Sequence, residues 1–312
     1  MSTIGIDLGG TKIKAGIIGK NGEIGQTIQV MTPIELGRDG IMSALSFVID
    51  RLLETLPTAA DGNVSIRAIG IGSAGRVHRE TGTITFATDN LPGWTGTKVK
   101  ELLERKHGFP VFVENDVKAA ALGESWLGAA REWRHFAFIA LGTGIGGALV
   151  YGGNVISGPN DGPEIGHIML HPGGAACNCG QNGCLEQYVS GKALNRVARE
   201  VDVLWDSRKL IRMFVEKDAR ATNVMRKFIH DLCAGLITIQ NAFDPQTIVL
   251  GGGVMDSYPF WQEHFITALH AATSVDIRVI PALLGNDAGM LGAAKLAWNE
   301  IVARDGSSLD VW

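Results

Sequence analysis

The sequence predicts an α/β protein composed of two related domains. Short apolar runs, typical of buried strands, alternate with longer segments in which apolar residues recur at every third or fourth position, as on one face of a helix. A strand, a turn of Gly and Thr, and a second strand occur at the start of the chain and again about 135 residues later, which is a weak internal repeat. A length of 312 residues is sufficient for two domains of ordinary size, or for one large domain.

Composition and charge argue against several classes of protein. The formal net charge is −4 and no basic run exceeds a few residues, so neither a nucleic-acid partner nor an anionic membrane is expected. No apolar run approaches the ~20 residues of a membrane span, and the N-terminus shows no signal-peptide pattern. We therefore expect a soluble, cytoplasmic protein.

The first hairpin is a candidate phosphate site. Residues 3–8 and 13–18 are predicted strands. The turn between them consists of Gly9, Gly10, Thr11 and Lys12. Backbone N–H groups in such a turn can reach phosphate oxygens because glycine has no Cβ to block them. Asp7 precedes the turn and could hold Mg²⁺, often through water. The alternative is an ordinary structural hairpin.

Two further glycine turns follow predicted strands. The strand of residues 135–141 leads into the sequence GTGIGG, and the strand of residues 247–250 leads into GGG. Two Gly/Thr hairpins could bind one polyphosphate from opposite sides. The GxGxxG pattern does not open a βαβ unit with an acidic residue about 20 positions on, so a dinucleotide site is rejected. The candidate residues in these turns are Gly142, Thr143, Gly144, Gly252 and Gly253.

An acidic motif ends the strand predicted at residues 110–113. The motif consists of Glu114, Asn115 and Asp116. The carboxyl end of a strand is where open α/β sheets place ligand chemistry, so Asp116 is a candidate catalytic group. The alternative is that Asp116 caps the helix predicted over residues 117–128. Asn90, on a loop, is either a turn residue or an amide that binds a ligand hydroxyl.

A cysteine motif predicts a metal site. Cys177, Cys179 and Cys184 lie within eight residues, with glycines between them. In a reducing compartment such clustering indicates metal binding rather than disulfides. Three thiolates and one imidazole form a closed structural Zn²⁺ site, and either His167 or His171 could supply the imidazole.

Two carboxylates flank the cysteine motif. Glu164 opens the motif EIGH, which ends at His167, and Glu186 follows the last cysteine by two positions. Carboxylates suit sugar hydroxyls because each oxygen accepts a charge-assisted hydrogen bond. Beyond them, helices are predicted over residues 185–200, 219–241 and 257–272, and the apolar stripe of the second is expected to form core or a subunit interface.

Together these motifs resemble those of the ROK family (repressors, open reading frames and kinases), a branch of the actin-like ATPase superfamily. The resemblance spans nearly the whole chain, and the joint occurrence of EIGH and the cysteine motif is highly specific. It implies two actin-like (ribonuclease H-like) domains around a central cleft. The smaller is expected over residues 1–117, completed by the C-terminal helix at about 298–312, and the larger, with the zinc loop, over residues 118–297. The motifs that carry the resemblance are residues 6–12, 114–116, 141–147, 164–167, 177–186 and 251–253.

The resemblance also implies an activity, most similar to that of bacterial zinc-containing glucokinases. The γ-phosphate of ATP would pass to the 6-hydroxyl of glucose, with Asp116 as general base and Mg²⁺ on the phosphates. The hexose would be held by Asn90, Asn115, Asp116, Glu164, His167 and Glu186. The nucleotide and its Mg²⁺ would be held by Asp7, Gly9, Gly10, Thr11, Lys12, Gly142, Thr143, Gly144, Gly252 and Gly253. A structural Zn²⁺ would be bound by His167, Cys177, Cys179 and Cys184.

Other functions compatible with the motifs are kinases of N-acetylmannosamine, N-acetylglucosamine or β-glucosides. A sugar-sensing repressor of the same family would carry a helix-turn-helix segment before the first hairpin, whereas the hairpin here begins at residue 3. An actin-like filament protein would leave the EIGH and cysteine motifs without a purpose. The expected ligands are a hexose and a nucleotide, and a homodimer is expected because family members are often dimers.

Overall fold

The computed structural model describes residues 1–56, 66–158 and 161–304. The strands are β1 (Ser2–Leu8), β2 (Lys12–Gly19), β3 (Ile24–Met31), β4 (Ile66–Ser73), β5 (Arg76–His78), β6 (Thr83–Phe86), β7 (Val111–Asn115), β8 (Phe136–Leu141), β9 (Ile145–Tyr151), β10 (Asn154–Val155), β11 (Thr247–Gly251) and β12 (Val279–Pro281). The α-helices are α1 (Gly37–Glu54), α2 (Val99–His107), α3 (Asp116–Leu127), α4 (Glu186–Val189), α5 (Gly191–Val201), α6 (Ser207–Val215), α7 (Ala219–Phe243), α8 (Gln262–Ala272) and α9 (Ala288–Arg304). Among these helices, none has both the length and the apolar content needed to cross a membrane.

By its internal contacts the chain divides into two compact units. Unit 1 contains Met1–Glu132, Ser157–Gly162 and the chain from Leu283 onward, and unit 2 contains Trp133–Ile156 and Pro163–Ala282. These divisions differ from the predicted domain boundaries at 117–118 and 297–298. The reason is that α3 and the whole of α9 pack with each other and with the N-terminal sheet.

The sheet of unit 1 has the strand order β3-β2-β1-β4-β7. β1, β2 and β3 are antiparallel neighbours, while β4 and β7 extend the sheet in parallel from β1. Alternate residues of β1 point to opposite faces. One row, Ile4, Ile6 and Leu8, belongs to a buried core that also contains Ile41 and Leu45 of α1.

The opposite face of this sheet is covered by α9, which approaches it closely. A Cβ added to Gly70 on β4 would lie 1.8 Å from the carbonyl oxygen of Ala293, so only glycine permits this distance. Asp7 is the last residue of the β1 row on this face. A Cβ added to Gly289, in the first turn of α9, would lie 2.7 Å from Cγ of Asp7. The sheet and α9 therefore hold the Asp7 carboxylate beside the start of a helix.

Unit 2 repeats the topology of unit 1. Its sheet has the order β10-β9-β8-β11-β12, in which β8 and β9 form an antiparallel hairpin and β11 and β12 extend the sheet in parallel from β8. The two hairpins that suggested an internal repeat thus occupy equivalent positions in two similar sheets. The predicted α/β class is confirmed.

The apolar stripe of α7 forms core. Phe228, Leu232, Leu236 and Ile239 are buried against the other elements of unit 2. This observation resolves the alternative between core and subunit interface in favour of core for these side chains.

Two helices predicted as continuous are interrupted. The segment 185–200 is divided between α4 and α5 because Ser190 adopts an extended conformation and caps α5, where its hydroxyl accepts the N–H of Ala193 at 3.1 Å. The segment 257–272 begins as a 3-10 helix containing Pro259, and α8 starts only after it. Proline has no N–H to continue the helical ladder.

Candidate active site and metal centre

The first glycine turn, residues 9–12, joins β1 and β2. The N–H of Gly9 donates to the carbonyl of Lys12 at 3.1 Å and closes the turn. The hydroxyl of Thr32 donates to the carbonyl of Gly9 at 2.7 Å and so fixes the turn to the end of β3. A Cβ added to Gly10 would lie 3.6 Å from Cβ of Asn90, so the turn and the Asn90 loop are neighbours in unit 1.

The Asn90 loop, residues 90–94, is anchored at one end by Trp94, while Asn90 itself is exposed. Trp94 is fully buried, and its indole N–H donates to the hydroxyl of Ser73 at 3.0 Å. A large aromatic ring fixed at one end of the loop limits its movement. The loop can therefore present the Asn90 amide at a defined position next to the first glycine turn.

Asp7 and Asp116 form a pair of interacting carboxylates. Burial and the nearby charge of Asp116 raise the pKa of Asp7 to about 7. Lys12 and Lys14 act in the opposite direction. Since a divalent cation relieves repulsion between carboxylates and prefers oxygen ligands, this pair fits the Mg²⁺ that the sequence predicted near Asp7.

Asn115 rather than Asp116 is the N-cap of α3. Its Oδ1 accepts the N–H groups of Val117 at 3.0 Å and of Lys118 at 3.1 Å. Its Nδ2 donates to the carbonyl of Gly75 and to Oδ1 of Asp116, both at 2.9 Å. The capping role considered for Asp116 thus belongs to its neighbour. Since the amide already has partners on both sides, the predicted contact of Asn115 with sugar stays a prediction.

Asp116 is held in place at the first position of α3. Its Oδ1 accepts the Asn115 amide and also the N–H of Val117 at 2.9 Å. These bonds fix one carboxylate oxygen at the carboxyl end of β7. A carboxylate with a defined orientation at the end of a strand can act as a general base.

A buried lysine on α3, Lys118, was not predicted from the sequence as part of the site. Lys118 is 2% exposed, and its Nζ bonds to the carboxylate of Asp161, to the carbonyl of Asp161 at 2.7 Å and to the hydroxyl of Ser157 at 3.0 Å. The Asp161 carboxylate also accepts the N–H of Val77 at 2.9 Å. Burial raises the pKa of Glu114, which lies 3.9 Å from Lys118, and Lys118 opposes this shift. The sequence signal was a lysine beside the apolar run of residues 119–122 in this helix.

The second glycine turn, residues 142–144, joins β8 and β9 in unit 2. The N–H of Gly142 donates to the carbonyl of Gly144 at 2.9 Å. The first two residues of α5 hydrogen-bond to this turn. The N–H of Gly191 donates to the carbonyl of Gly142 at 2.8 Å, and the N–H of Lys192 donates to the carbonyl of Thr143 at 3.2 Å. The Thr143 side chain is exposed.

The third glycine turn, residues 251–253, lies against the end of β8. Gly252 has a φ of 86°, and a Cβ at this position would lie 2.5 Å from the carbonyl oxygen of Leu141. Only glycine combines that conformation with that contact. The predicted nucleotide residues Gly252 and Gly253 are thereby brought next to the second glycine turn.

The predicted metal ligands form a cluster in unit 2. One ligand atom each from His167, Cys177, Cys179 and Cys184 lies within 4.8 Å of the others. Nδ1 of His167 is 3.5 Å from Sγ of Cys177, and the sulfurs of Cys179 and Cys184 are 3.6 Å apart. Three thiolates and one imidazole suit tetrahedral Zn²⁺. The cysteine cluster is thus confirmed as an arrangement compatible with structural zinc.

His171 has a different partner. Its Nε2 lies 2.9 Å from a carboxylate oxygen of Asp231 on α7, so the structure brings His167 rather than His171 to the cysteines. The contact between His171 and Asp231 ties the segment from His167 to Cys184, here called the metal loop, to α7.

The two carboxylates that flank the metal loop differ in their surroundings. Glu164 is exposed and lies just before the 3-10 helix that contains His167. Glu186 is partly buried at the start of α4, and its Oε2 accepts the N–H of Ile145 at 2.8 Å. The structure places both residues next to the metal loop, and their contacts with sugar stay predictions.

Comparison with known proteins identifies relatives over the whole length. A family model described as "ROK family" matches residues 3–300. The glucokinase of Thermotoga maritima is 31% identical over 316 residues, covering 95% of this chain and 97% of that protein.

Solved structures give the same result. The ROK hexokinase from Thermus thermophilus has a TM-score of 0.85 at 36% identity, covering 97% of this chain and 100% of that one. A ROK family glucokinase from Streptomyces griseus in complex with glucose and AMPPNP has a TM-score of 0.80 at 32% identity, covering 96% and 100% of the two chains.

Proposed function

Since this chain belongs to the ROK family, we propose that it is an ATP-dependent hexose kinase that phosphorylates the 6-hydroxyl of glucose. The similarity to the Thermotoga maritima glucokinase and to the Streptomyces griseus glucokinase with glucose and AMPPNP supports this activity. The observation that carries the proposal is the Asp116 carboxylate, which Asn115 and Val117 fix at the end of β7 near Asp7.

Asp116 is the proposed general base. Its carboxylate would accept the proton of the 6-hydroxyl as that oxygen attacks the γ-phosphorus of ATP, and the bond to the leaving ADP oxygen would break. The amide of Asn115 holds one oxygen of this carboxylate, which limits its rotation. Asp7 is the residue proposed to hold Mg²⁺, which when bound would supply positive charge that neutralises the charge developing on the phosphates.

The glycine turns are proposed to bind the phosphates of ATP. The N–H groups of Gly9 and Gly142 close their own turns, so these two residues shape the turns rather than donate to phosphate. Thr11 and Thr143 lie in the same two turns and have exposed side chains, so they are better placed to donate hydrogen bonds to phosphate. Backbone donors in tight turns suit phosphate because they carry partial positive charge without a bulky side chain.

The metal loop is proposed to position the sugar ligands. His167, Cys177, Cys179 and Cys184 would hold Zn²⁺, and a site with four protein ligands would have a structural role rather than activate water. The loop would set the positions of Glu164 and Glu186, which flank it. Together with Asn90, Asn115 and His167 they are the proposed partners of the hexose hydroxyls.

A coupled ADP-release assay tests this function. It would compare glucose with fructose, N-acetylmannosamine, N-acetylglucosamine and a β-glucoside at fixed ATP and Mg²⁺. We expect kcat/KM to be highest for glucose, since a site that hydrogen-bonds a hydroxyl can reject an analogue lacking it by up to ~10⁴-fold. An N-acetylhexosamine or a glucoside preferred over glucose by about tenfold would reassign the substrate, and no turnover with any sugar would reject the kinase.

We also propose a cytoplasmic homodimer that binds neither nucleic acid nor membranes. The modest negative charge supports the absence of these two partners. Light scattering coupled to size-exclusion chromatography would test the dimer, with a mass near twice the 33.2 kDa of one chain as the expected result.

A further inference from the structure

Glu186 is a proposed sugar ligand, and it also contacts the second glycine turn, which is proposed to bind the nucleotide. Its Oε2 accepts the N–H of Ile145, the residue that follows the second glycine turn, at 2.8 Å. The contact is tight, because a Cβ added to Gly144 would lie 2.2 Å from the same oxygen. A carboxylate expected to hold a sugar hydroxyl is therefore in contact with a turn expected to hold phosphate.

The chain on both sides of Glu186 extends this connection. Two residues before it, Cys184 belongs to the metal cluster. Directly after it, the Gln187 side-chain amide donates to Sγ of Cys177 at 3.5 Å. Gly191 and Lys192 then donate to the carbonyls of the second glycine turn. One short segment thus joins the metal loop to both ends of that turn, all within unit 2.

We propose that Glu186 is a positioning residue for the nucleotide, because its carboxylate fixes the second glycine turn in the conformation that binds phosphate. The hydrogen bond orients the peptide at the start of β9, and the missing Cβ of Gly144 makes room for it. This inference rests on the proposed function, since it takes the turn to bind ATP. It goes further by giving one side chain a task at both substrates.

Nucleotide affinity measured without sugar tests this inference. Calorimetric titration with AMPPNP and Mg²⁺ would compare the wild type with Glu186→Ala, Glu186→Gln and Gly144→Ala. We expect Glu186→Ala to weaken AMPPNP binding about tenfold or more, as for the loss of a hydrogen bond to a charged acceptor. Glu186→Gln should restore most of the affinity, because its amide oxygen can still accept the N–H of Ile145.

Gly144→Ala tests the same contact from the other side. The added Cβ would displace the end of the flexible Glu186 side chain, so this variant should weaken AMPPNP although Glu186 is still present. In the Glu186→Ala background the same substitution should cost much less, because the clashing oxygen is gone. Glu263→Ala is the matched control, since it removes an exposed carboxylate of α8 in the same unit that has no proposed role at either substrate, and it should leave AMPPNP affinity within about twofold.

Bound zinc and circular dichroism would show that each variant is folded. Wild-type AMPPNP affinity in folded Glu186→Ala overturns the inference and leaves the kinase proposal intact. Equal weakening in Glu186→Gln and Glu186→Ala also overturns it, because the acceptor would then not be the cause. Failure of the wild type to bind AMPPNP at all overturns both.

Discussion

Asn115 caps α3 through the N–H groups of Val117 and Lys118, whereas Asp116, the next residue, is the proposed general base. The two side chains are adjacent and share a hydrogen bond, so their roles can be separated only by substituting each in turn. At the residue scale, the distinction is between a group that stabilises the helix and a group that would accept a proton.

Asp116→Asn is expected to lower kcat by ~10²–10⁴-fold, the usual contribution of a general base. The glucose dissociation constant should change much less than kcat, because the amide keeps the size of the carboxylate and its oxygen can still accept a hydrogen bond from a sugar hydroxyl. Asn115→Ala is the variant for comparison of stability and should lower the unfolding free energy by about 1 kcal/mol through loss of the cap, a loss not expected in Asp116→Asn. Kinetics and urea denaturation of both variants would check this. Retention of more than about a tenth of kcat in Asp116→Asn would argue against the base.

Asp7 predicts a pH dependence of stability. Its pKa is raised from 3.8 to about 7, so the folded state binds the proton more tightly than the unfolded state. The resulting stabilisation is complete below the lower value and is lost as the pH rises through the higher one. The Asp7→Asn variant has no carboxylate to titrate at this position, so it should not lose stability in this way as the pH rises. The Tm of the variant minus that of the wild type should therefore increase between about pH 5 and about pH 8 in metal-free buffer.

Magnesium provides the control for Asp7. At about pH 8 Mg²⁺ with ATP should raise the Tm of the wild type more than that of Asp7→Asn, since a charged carboxylate is a stronger ligand for the cation than a neutral amide. A Tm difference that is constant across the pH range would contradict the shifted pKa.

At the element scale, the metal loop is a local structure attached to a larger core. It contacts α7 through His171 and Asp231 at 2.9 Å, and its residues Ile168 and Leu170 pack against the core of unit 2, but the buried residues of that core lie outside the loop. Loss of metal should therefore loosen the loop without unfolding the unit.

Cys179→Ser is expected to abolish bound zinc, which we expect at one ion per chain in the wild type. Structural zinc contributes apparent binding energies of about 10–16 kcal/mol in small zinc-finger peptides, where it is also folding energy. Here the effect should be confined to the loop, seen as faster proteolysis near residues 171–183 and a lower affinity for glucose. Cys233→Ser, at the buried cysteine of α7, is the control and should retain the metal. Elemental analysis that finds no zinc in active wild-type protein would contradict the site.

The contact between α9 and the sheet predicts a large effect of a small substitution. In Gly70→Ala the added methyl would meet the carbonyl of Ala293 at 1.8 Å, and a backbone atom cannot move aside easily. We expect a loss of roughly 3 kcal/mol or more in unfolding free energy, at the upper end for overpacked cores. Gly158→Ala, where no atom of the described residues lies within 4 Å of the added methyl, is the control and should be nearly neutral. Similar denaturation midpoints for the two variants would disprove the close approach.

At the scale of the whole molecule, the sequence was sufficient where the signal was local or repeated. The Gly/Thr hairpins predicted two related halves, and the two sheets have matching strand orders. The cysteine spacing predicted the metal cluster because its ligands lie close together along the chain. The sequence was insufficient where the structure depends on contacts between distant residues, such as the buried pair of Lys118 and Asp161, which are 43 positions apart.

The prediction of one continuous helix over residues 185–200 was wrong for a related reason. The local pattern around Ser190 allows a continuous helix, and the break is useful only because Gly191 and Lys192 then reach the second glycine turn, nearly 50 positions earlier in the chain. Helix periodicity contains no information about that turn. The same limit applies to Glu186, whose contact with Ile145 could not be read from the cysteine motif.

The return of α9 to the first sheet has a consequence for protein synthesis. The strands of unit 1 emerge from the ribosome before unit 2, whereas the helix that covers one face of their sheet is translated only after unit 2. Domains commonly fold in the order of their emergence, N-terminal first. Here the first unit cannot complete its fold until unit 2 and then α9, which ends at Arg304, have been translated, and until then the glycine-lined face of its sheet stays uncovered. A premature stop codon before α9 would release a chain whose first unit lacks the helix that covers one face of its sheet. Chaperones and proteases would then act on this incomplete unit.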